Sequence, residues 1–183
     1  MKKIAVFCLF AAAVSLFAVE IPLRNPQFKS VNGQITHWTI VEKGAEITTV
    51  PYPDEPGSFA VKISSKNATK YFGIAQGGFD LTKIPRPKAG EKLQFTLKYR
   101  QKNENVADGG FSNVVFYSAK GYLVGRDSPK RSGSFDWEDV ETSVTFNEFP
   151  PAAKFMQARF FLGKTTGTIY IAEPKLYVNV IKK

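Results

Sequence analysis

The chain has 183 residues, a formal net charge of +9 at pH 7, one histidine and one cysteine. A single histidine excludes a two-histidine zinc motif, and Cys8 has no partner for a disulfide or a cysteine-zinc site. The length suits one domain with a single core.

The first 18 residues have the pattern of a secretory signal peptide. Lys2 and Lys3 precede an almost wholly apolar stretch, residues 4–18, which ends at the small residue Ala18. That stretch is shorter than the roughly 20 residues that a membrane-spanning helix needs. We therefore expect residues 1–18 to be removed and residues 19–183 to form one domain. The expected location is secreted or periplasmic, and an uncleaved anchor is the alternative.

After the leader, apolar and polar residues alternate with period two, which is typical of half-buried β-strands. Leu93, Phe95, Leu97 and Tyr99 show the pattern most clearly. Predicted strands cover residues 35–41, 45–50, 59–64, 70–76, 92–100, 111–118, 139–146, 155–162, 167–173 and 175–180. Turn segments rich in Gly and Pro separate them, for example at 51–57, 85–87 and 108–110. Many short strands without crossover helices predict an all-β antiparallel sandwich.

No segment carries a recognisable catalytic motif. We interpret His37 as a partly exposed strand histidine, because no serine or aspartate arrangement points to it. Asp136, Glu138 and Asp139 form the densest carboxylate group, and glycosidases need two carboxyl groups about 5–10 Å apart. Acidic residues at the start of a strand are usually solvated, however. We therefore predict a protein that is not an enzyme, with a small hydrolase as a lesser alternative.

Several segments, in order, resemble carbohydrate-binding modules of the family 4/9/16/22 type. The segments are NPQF at 25–28 with ITHWTI at 35–40, YFGIAQ at 71–76, GEKLQFTLKYR at 90–100, VFYSAKG at 115–121, and residues 133–178. The resemblance covers nearly all of the chain after the leader. It implies a galactose-binding-domain-like jelly roll and a binding function.

Members of this type often hold a structural calcium through an N-terminal glutamate and a late aspartate. This chain is similar but has Lys29 at the first position and Ala172-Glu173 at the second. Calcium needs several oxygen ligands, whereas a lysine adds positive charge. We therefore expect no cofactor, and a calcium site that uses Asn25 and Glu173 is the less favoured alternative.

The resemblance also implies that one outer sheet face forms a shallow groove for the ligand. Strand parity predicts which side chains point outward into it. The predicted binding residues are Tyr71, Lys98, Arg100, Asn113, Tyr117, Arg159 and Phe161. Aromatic rings stack on sugars, while Arg, Asn and Lys donate to hydroxyls and arginine pairs bidentately with acidic groups. The alternative is an ordinary polar surface, with Phe161 covered by a loop. Trp38 and Trp137 are predicted core anchors.

The predicted function is an exported, non-catalytic carbohydrate-binding protein that recognises a polysaccharide or oligosaccharide. The positive net charge makes an anionic glycan one of the candidate ligands. The alternative is a structural or adhesion protein of the cell envelope that binds protein partners with the same sandwich. Export and the scattered positions of the basic residues argue against nucleic acid.

Overall fold

Residues 18–182 of the chain are described by a computed structural model, and the predicted leader, apart from Ala18, lies outside them. Twelve strands account for most of this part of the chain. They are β1 Val19–Ile21, β2 Ser30–Val31, β3 Gln34–Ile35, β4 Thr39–Ile40, β5 Glu46–Pro51, β6 Phe59–Ser65, β7 Phe72–Gln76, β8 Glu91–Ser118, β9 Gly121–Asp127, β10 Arg131–Phe146, β11 Phe155–Leu162 and β12 Gly167–Lys182. The helical content of residues 18–182 is one short 3₁₀ turn, Leu81–Lys83.

The long strand β8 takes part in both sheets of the sandwich. Its first half lies between β12 and β10, and β6, β5 and β1 complete this sheet, which we call sheet I. Its second half lies between β11 and β9, and β7 and β4 complete sheet II. All of these pairs are antiparallel. The crossing region contains Asn105 and Gly109, both at positive φ, a conformation that glycine adopts without steric cost.

Aromatic side chains from the inner faces of the two sheets form the core. Phe95 of sheet I contacts Phe116 of sheet II with ring centroids 5.9 Å apart, and Tyr99 contacts Phe160 at 5.0 Å. Burying such a ring contributes about 1.5–3 kcal/mol. The predicted inward parity of Leu93 to Tyr99 is confirmed, since these odd-numbered residues are buried. The predicted all-β antiparallel sandwich is confirmed as well.

Some predicted boundaries are wrong. Residues 108–110, predicted as a turn, lie inside β8, and the predicted strands 167–173 and 175–180 are one strand, β12, with a bulge at Glu173. The predicted strand 35–41 is interrupted by a turn in which His37 has φ +67, so this exposed histidine is not in a strand.

The two tryptophans differ in position. Trp38 is 7% exposed and packs against Phe28 and Phe160 in the main core, as predicted. Trp137 is half-buried at the edge of sheet I, where it packs edge-on against Tyr52 at 4.9 Å. The structure therefore confirms Trp38 as a core anchor and gives Trp137 a peripheral position. In residues 18–182, no helix is long and apolar enough to cross a membrane.

Candidate functional site

A polar row crosses the outer face of sheet II. Arg159 of β11 lies opposite Ala75 of β7 on one side and Asn113 of β8 on the other, and Asn113 lies opposite Asp127 of β9. Residues directly opposite on one face have Cβ atoms about 4.5–5.5 Å apart. Arg159, Asn113 and Asp127 therefore form a contiguous line of polar groups, which we call the polar row.

An aromatic cluster adjoins the polar row on one side. The rings of Phe111 and Phe161 stack at 5.4 Å, and Tyr71 meets them edge-on at 6.1 and 6.3 Å. We call Tyr71, Phe111 and Phe161 the first aromatic cluster. The ring of Phe161 lies over Gly73, where an added Cβ would stand 2.5 Å from it. The glycine thus leaves room for the ring to lie flat on β7.

A second aromatic cluster lies at the opposite end of β11. Tyr117 and Phe155 stack almost parallel at 4.8 Å, and Tyr122 meets Tyr117 edge-on at 6.2 Å. Tyr122 is 65% exposed and Phe155 is 41% exposed, so both rings are open to a ligand. Phe155 and Phe161 are six residues apart on one strand, which corresponds to about 20 Å. The two clusters and the polar row between them make up what we call the groove.

Loops next to β4 and β7 wall the first aromatic cluster. A cleft of about 480 Å³ lies there, between the cluster, the polar row and the loops. Val41 and Glu42 follow β4, Thr69 and Lys70 precede β7, and a Lys70–Glu42 ion pair of 2.9 Å ties the two loops together. The wall gives this end of the groove its depth.

Arg159 is the half-buried cation of the groove. Its Nε and Nη2 donate to Oε1 of Gln157 at 3.0 and 2.6 Å, and its guanidinium lies 5.3 Å from the Tyr117 ring centroid. Burial lowers the pKa of the Arg159 guanidinium, because a charge is less stable away from water. Of the three partly buried arginines in residues 18–182, Arg100 and Arg131 pair with carboxylates, and Arg159 does not.

Asn113 has an unused acceptor. The residue is 8% exposed, and its Nδ2 donates to Oδ1 of Asp127 at 2.6 Å. Its Oδ1 is buried and accepts no hydrogen bond from residues 18–182. A buried polar atom without a partner is costly, so a ligand that donates to this oxygen would relieve a penalty.

The structure does not bring the predicted binding residues onto a single surface. Those on sheet II come together in the groove: Tyr71, Asn113, Tyr117, Arg159 and Phe161. Phe161 is only 5% exposed, however, so its ring is covered and supports Tyr71, and its prediction as a binding residue is corrected. Lys98 and Arg100 do point outward, but from sheet I, because β8 changes sheets between Arg100 and Asn113. Strand parity is correct for both halves of β8, and the prediction of a shared face is corrected.

The two predicted binding residues on the outer face of sheet I have carboxylate partners. Lys98 pairs with Glu141 at 2.8 Å, and Arg100 pairs with Asp54 and Asp139 at 3.2 Å each. The remaining members of the predicted carboxylate group are also paired. Asp136 lies 3.9 Å from Lys102, and Glu138 pairs with Arg131. These carboxylates therefore serve as ion-pair partners along β10.

Asn25 closes a loop near the start of the domain. Its Oδ1 accepts from the backbone N–H of Lys29 at 2.8 Å, and its Nδ2 donates to the carbonyl oxygens of Lys29 and Thr36. Within the described part of the chain, no group of three or more His, Cys, Asp or Glu side chains is placed to hold a metal ion.

Sequence reasoning missed several groove residues for different reasons. Phe155 shares the parity of Arg159 on β11, and Phe111 shares that of Asn113, so alternation alone would have identified both. Tyr122 and Asp127 lie on β9, whose sequence GYLVGRD has no regular alternation and gave no predicted strand.

No protein-family profile and no curated protein matches the chain. Several solved structures are similar to it in fold. A cyclase from Fischerella sp. TAU superposes with a TM-score of 0.59 at 11% identity, covering 91% of this chain and 100% of that one. A mutant of the family 29 carbohydrate-binding module CBM29-2 in complex with mannohexaose gives 0.50 at 15% identity, covering 90% and 93%.

Larger proteins contain a similar unit. The arabinose-bound α-L-arabinofuranosidase MgGH51 gives a TM-score of 0.56 at 16% identity and covers 89% of this chain. The chain spans 27% of that enzyme and 22% of the bacteriophage CBA120 tailspike protein 4 domain, to which it is also similar. At these identities the likeness concerns the fold. The chain has a jelly-roll sandwich fold like that of carbohydrate-binding modules.

Proposed function

We propose that this protein is an exported, non-catalytic module that binds a polysaccharide along the groove of sheet II. The observation that carries the proposal is the arrangement of the groove itself. Two aromatic clusters flank a row of polar side chains on one outer face, and their exposed rings are Tyr71 in the first and Tyr122 and Phe155 in the second. The fold likeness to a carbohydrate-binding module and the resemblance to the family 4/9/16/22 type support it.

The chemistry of the groove suits a sugar chain. Aromatic faces pack on the apolar C–H face of a pyranose ring, and the polar row offers donors and acceptors to the hydroxyl groups at its rim. Because the aromatic clusters lie about 20 Å apart along β11, several sugar rings fit between and over them. A groove of this shape suits an internal stretch of a polymer.

The positions of the carboxylates support binding without catalysis. Glu42 and Asp127 line the cleft, but they come from the loop after the edge strand β4 and from the opposite edge strand β9. The backbones of these edges lie four strand spacings apart, or about 19 Å, and the two carboxylates are held by Lys70 and by Asn113 respectively. A glycosidase needs its two carboxyl groups about 5–10 Å apart.

Affinity electrophoresis against a panel of neutral and acidic polysaccharides tests the binding function. We expect at least one polymer to retard the wild-type protein. The double variant Tyr122→Ala, Phe155→Ala should bind that polymer about tenfold more weakly, because each aromatic contact contributes about 0.5–1.5 kcal/mol. Tyr177→Ala, which removes a tyrosine from the outer face of sheet I, is the matched control and should bind like wild type.

Retardation by none of the polymers would contradict the proposal, and capture of an envelope protein in its place would favour the structural or adhesion function. Equal losses in the double variant and in Tyr177→Ala would place the ligand outside the groove. Export is tested separately by expressing the full chain in a bacterium. We expect a periplasmic or secreted product whose mass corresponds to a start at Val19.

A further inference from the structure

Two unmet hydrogen-bonding demands stand side by side in the polar row. The Arg159 guanidinium is half-buried and bonds to one neutral amide, that of Gln157. Asn113, directly opposite on β8, has a buried Oδ1 that accepts nothing from residues 18–182. The Arg159 guanidinium can donate to a further acceptor, and the Asn113 Oδ1 can accept from a donor.

The missing counter-charge of Arg159 indicates which acceptor fits. Partly buried charges are normally paired, and Arg100 and Arg131 follow that rule with aspartate or glutamate partners. Arg159 instead faces small or uncharged neighbours, including Ala75 and Asn113. Among the described residues, nothing accepts from Nη1 of its planar guanidinium, and a fork of this shape matches a carboxylate better than a single hydroxyl.

The other charged residues near the groove make its β11 side more positive than its β9 side. Lys164 lies 5.4 Å from the centroid of Tyr71, in the first aromatic cluster, and adds positive charge there. Lys70 is neutralised by Glu42, and Asp127 is the negative group at the far end of the polar row. An acidic group of a ligand is therefore favoured on the β11 side, and hydroxyl donors are favoured on the β9 side.

Building on the proposed function, we propose that the groove recognises an acidic polysaccharide through the carboxylate of a uronic acid. The carboxylate accepts from the Arg159 guanidinium, and a hydroxyl of the same or the adjacent sugar donates to Oδ1 of Asn113. Neighbouring sugar rings on either side stack on the exposed rings of the two clusters, namely Tyr71, Tyr122 and Phe155. A single ligand thereby supplies a counter-charge to Arg159 and a donor to Asn113.

The test uses three uronic-acid polymers, namely polygalacturonate, alginate and glucuronoxylan, each beside its carboxyl-reduced form. Reduction keeps the sugar backbone and removes the charge. We expect at least one acidic polymer to bind at least about tenfold more tightly than its reduced counterpart, as measured by isothermal titration calorimetry. A sulfated polymer, chondroitin sulfate, and its desulfated form serve as a separate arm.

Variants of the groove then test whether Arg159 is the residue that causes the preference for the acidic polymer. Arg159→Gln should remove the difference between acidic and reduced polymer, and Arg159→Lys, which keeps the charge without the fork, should retain only part of it. Lys102→Gln removes one positive charge from the outer face of sheet I and is the charge-matched control, with the preference unchanged. Thermal unfolding of each variant verifies that it is folded.

The outcomes separate this inference from the proposed function. Equal affinity for acidic and reduced polymers, or an acidic preference that survives in Arg159→Gln, overturns the inference and leaves carbohydrate binding standing. A preference for the sulfated polymer over all three uronates overturns the assignment of a carboxylate. If none of the acidic, reduced or neutral polymers binds, the proposed function fails and this inference fails with it.

Discussion

The outer faces of the two sheets hold their charged residues in different ways. On sheet I, paired positions of β8 and β10 carry opposite charges, as in Lys98 with Glu141 and Arg100 with Asp139. On sheet II, Arg159 stands opposite Ala75 and Asn113 and has no carboxylate partner within residues 18–182. The partly buried arginine of sheet I thus has carboxylate partners, whereas sheet II leaves a half-buried cation beside a buried acceptor.

The faces also differ in the size of their side chains. The outward positions of β7 within sheet II are Gly73 and Ala75, and the side chains of β11 lean over them. Sheet I carries longer side chains at its outward positions, such as Thr96, Lys98 and Tyr177. The small residues of β7 leave room for the Phe161 ring to lie flat against the backbone. Packing space and a cation without a carboxylate partner in residues 18–182 are thus combined on the face for which we propose ligand binding.

The largest effect is expected from filling the floor of the groove. In Gly73→Val the new Cβ would collide with the carbonyl oxygen of Phe160 and stand 2.5 Å from the ring of Phe161. Overpacking of this kind costs about 3 kcal/mol. We expect a loss of that size in the free energy of unfolding in urea, together with loss of glycan binding.

Thr96→Val is the control for that substitution on the outer face of sheet I. It places a side chain of the same shape at an outward position and removes one exposed hydrogen bond, that between Thr96 and Ser143. Its stability should change by less than about 1 kcal/mol. Equal destabilisation by both valines would show that the two faces do not differ in packing space.

The next effect is alkaline destabilisation from the sheet I side. Burial, with a hydrogen bond to Asp54, raises the pKa of Tyr52 to about 12, and burial with a hydrogen bond to Glu104 does the same for Tyr170. A tyrosine in an unfolded chain has a pKa near 10. The folded state therefore favours the neutral phenol. That stabilisation is complete below pH 10 and is lost as the pH rises through 12.

Urea unfolding at pH 8, 10 and 11.5 measures this loss. We expect wild type to lose stability progressively above pH 10, with Tyr52 contributing about 2 kcal/mol at most. Tyr52→Phe should show a shallower decline, because the titrating group is gone. A decline of equal slope in wild type and variant would assign the alkaline effect to other groups.

Strand parity predicted the local part of this comparison. It gave the correct outward direction for the residues that it named on β11 and on both halves of β8, because alternation depends only on neighbours in the chain. It did not predict which sheet each half belongs to. The sheet change in β8 depends on its pairing with β10, β11 and β12, which are distant from it in sequence. Lys98 and Arg159 are therefore predicted on the same face, although they lie on different sheets.

Local sequence patterns also gave wrong secondary-structure predictions at two positions. His37 adopts φ +67 in a turn, although its neighbours Thr36 and Trp38 fit a strand pattern. Gly109 lies in a continuous strand, although the Asp-Gly-Gly sequence is typical of a turn. In both cases tertiary contacts override a local preference, and no window of the sequence contains those contacts.

The smallest effect is expected from removing a paired cation, and it gives the sharpest test of the contrast. Arg100→Gln breaks ion pairs with Asp54 and Asp139, whose side chains are 50% and 94% exposed. Exposed pairs contribute about 0–1 kcal/mol, so the free energy of unfolding should fall by no more than that. Glycan affinity should be unchanged, since Arg100 lies on the other face.

Arg159→Gln should have the reverse pattern, with an effect on glycan binding and none on stability or a gain in it. Removing a half-buried charge that has no carboxylate partner relieves a desolvation cost, so stability should be unchanged or higher, while the preference for an acidic glycan is lost. Urea unfolding and calorimetric titration of both variants measure the two quantities together. If Arg159→Gln destabilises the protein more than Arg100→Gln does, Arg159 acts in the fold, and the groove holds no cation reserved for a ligand.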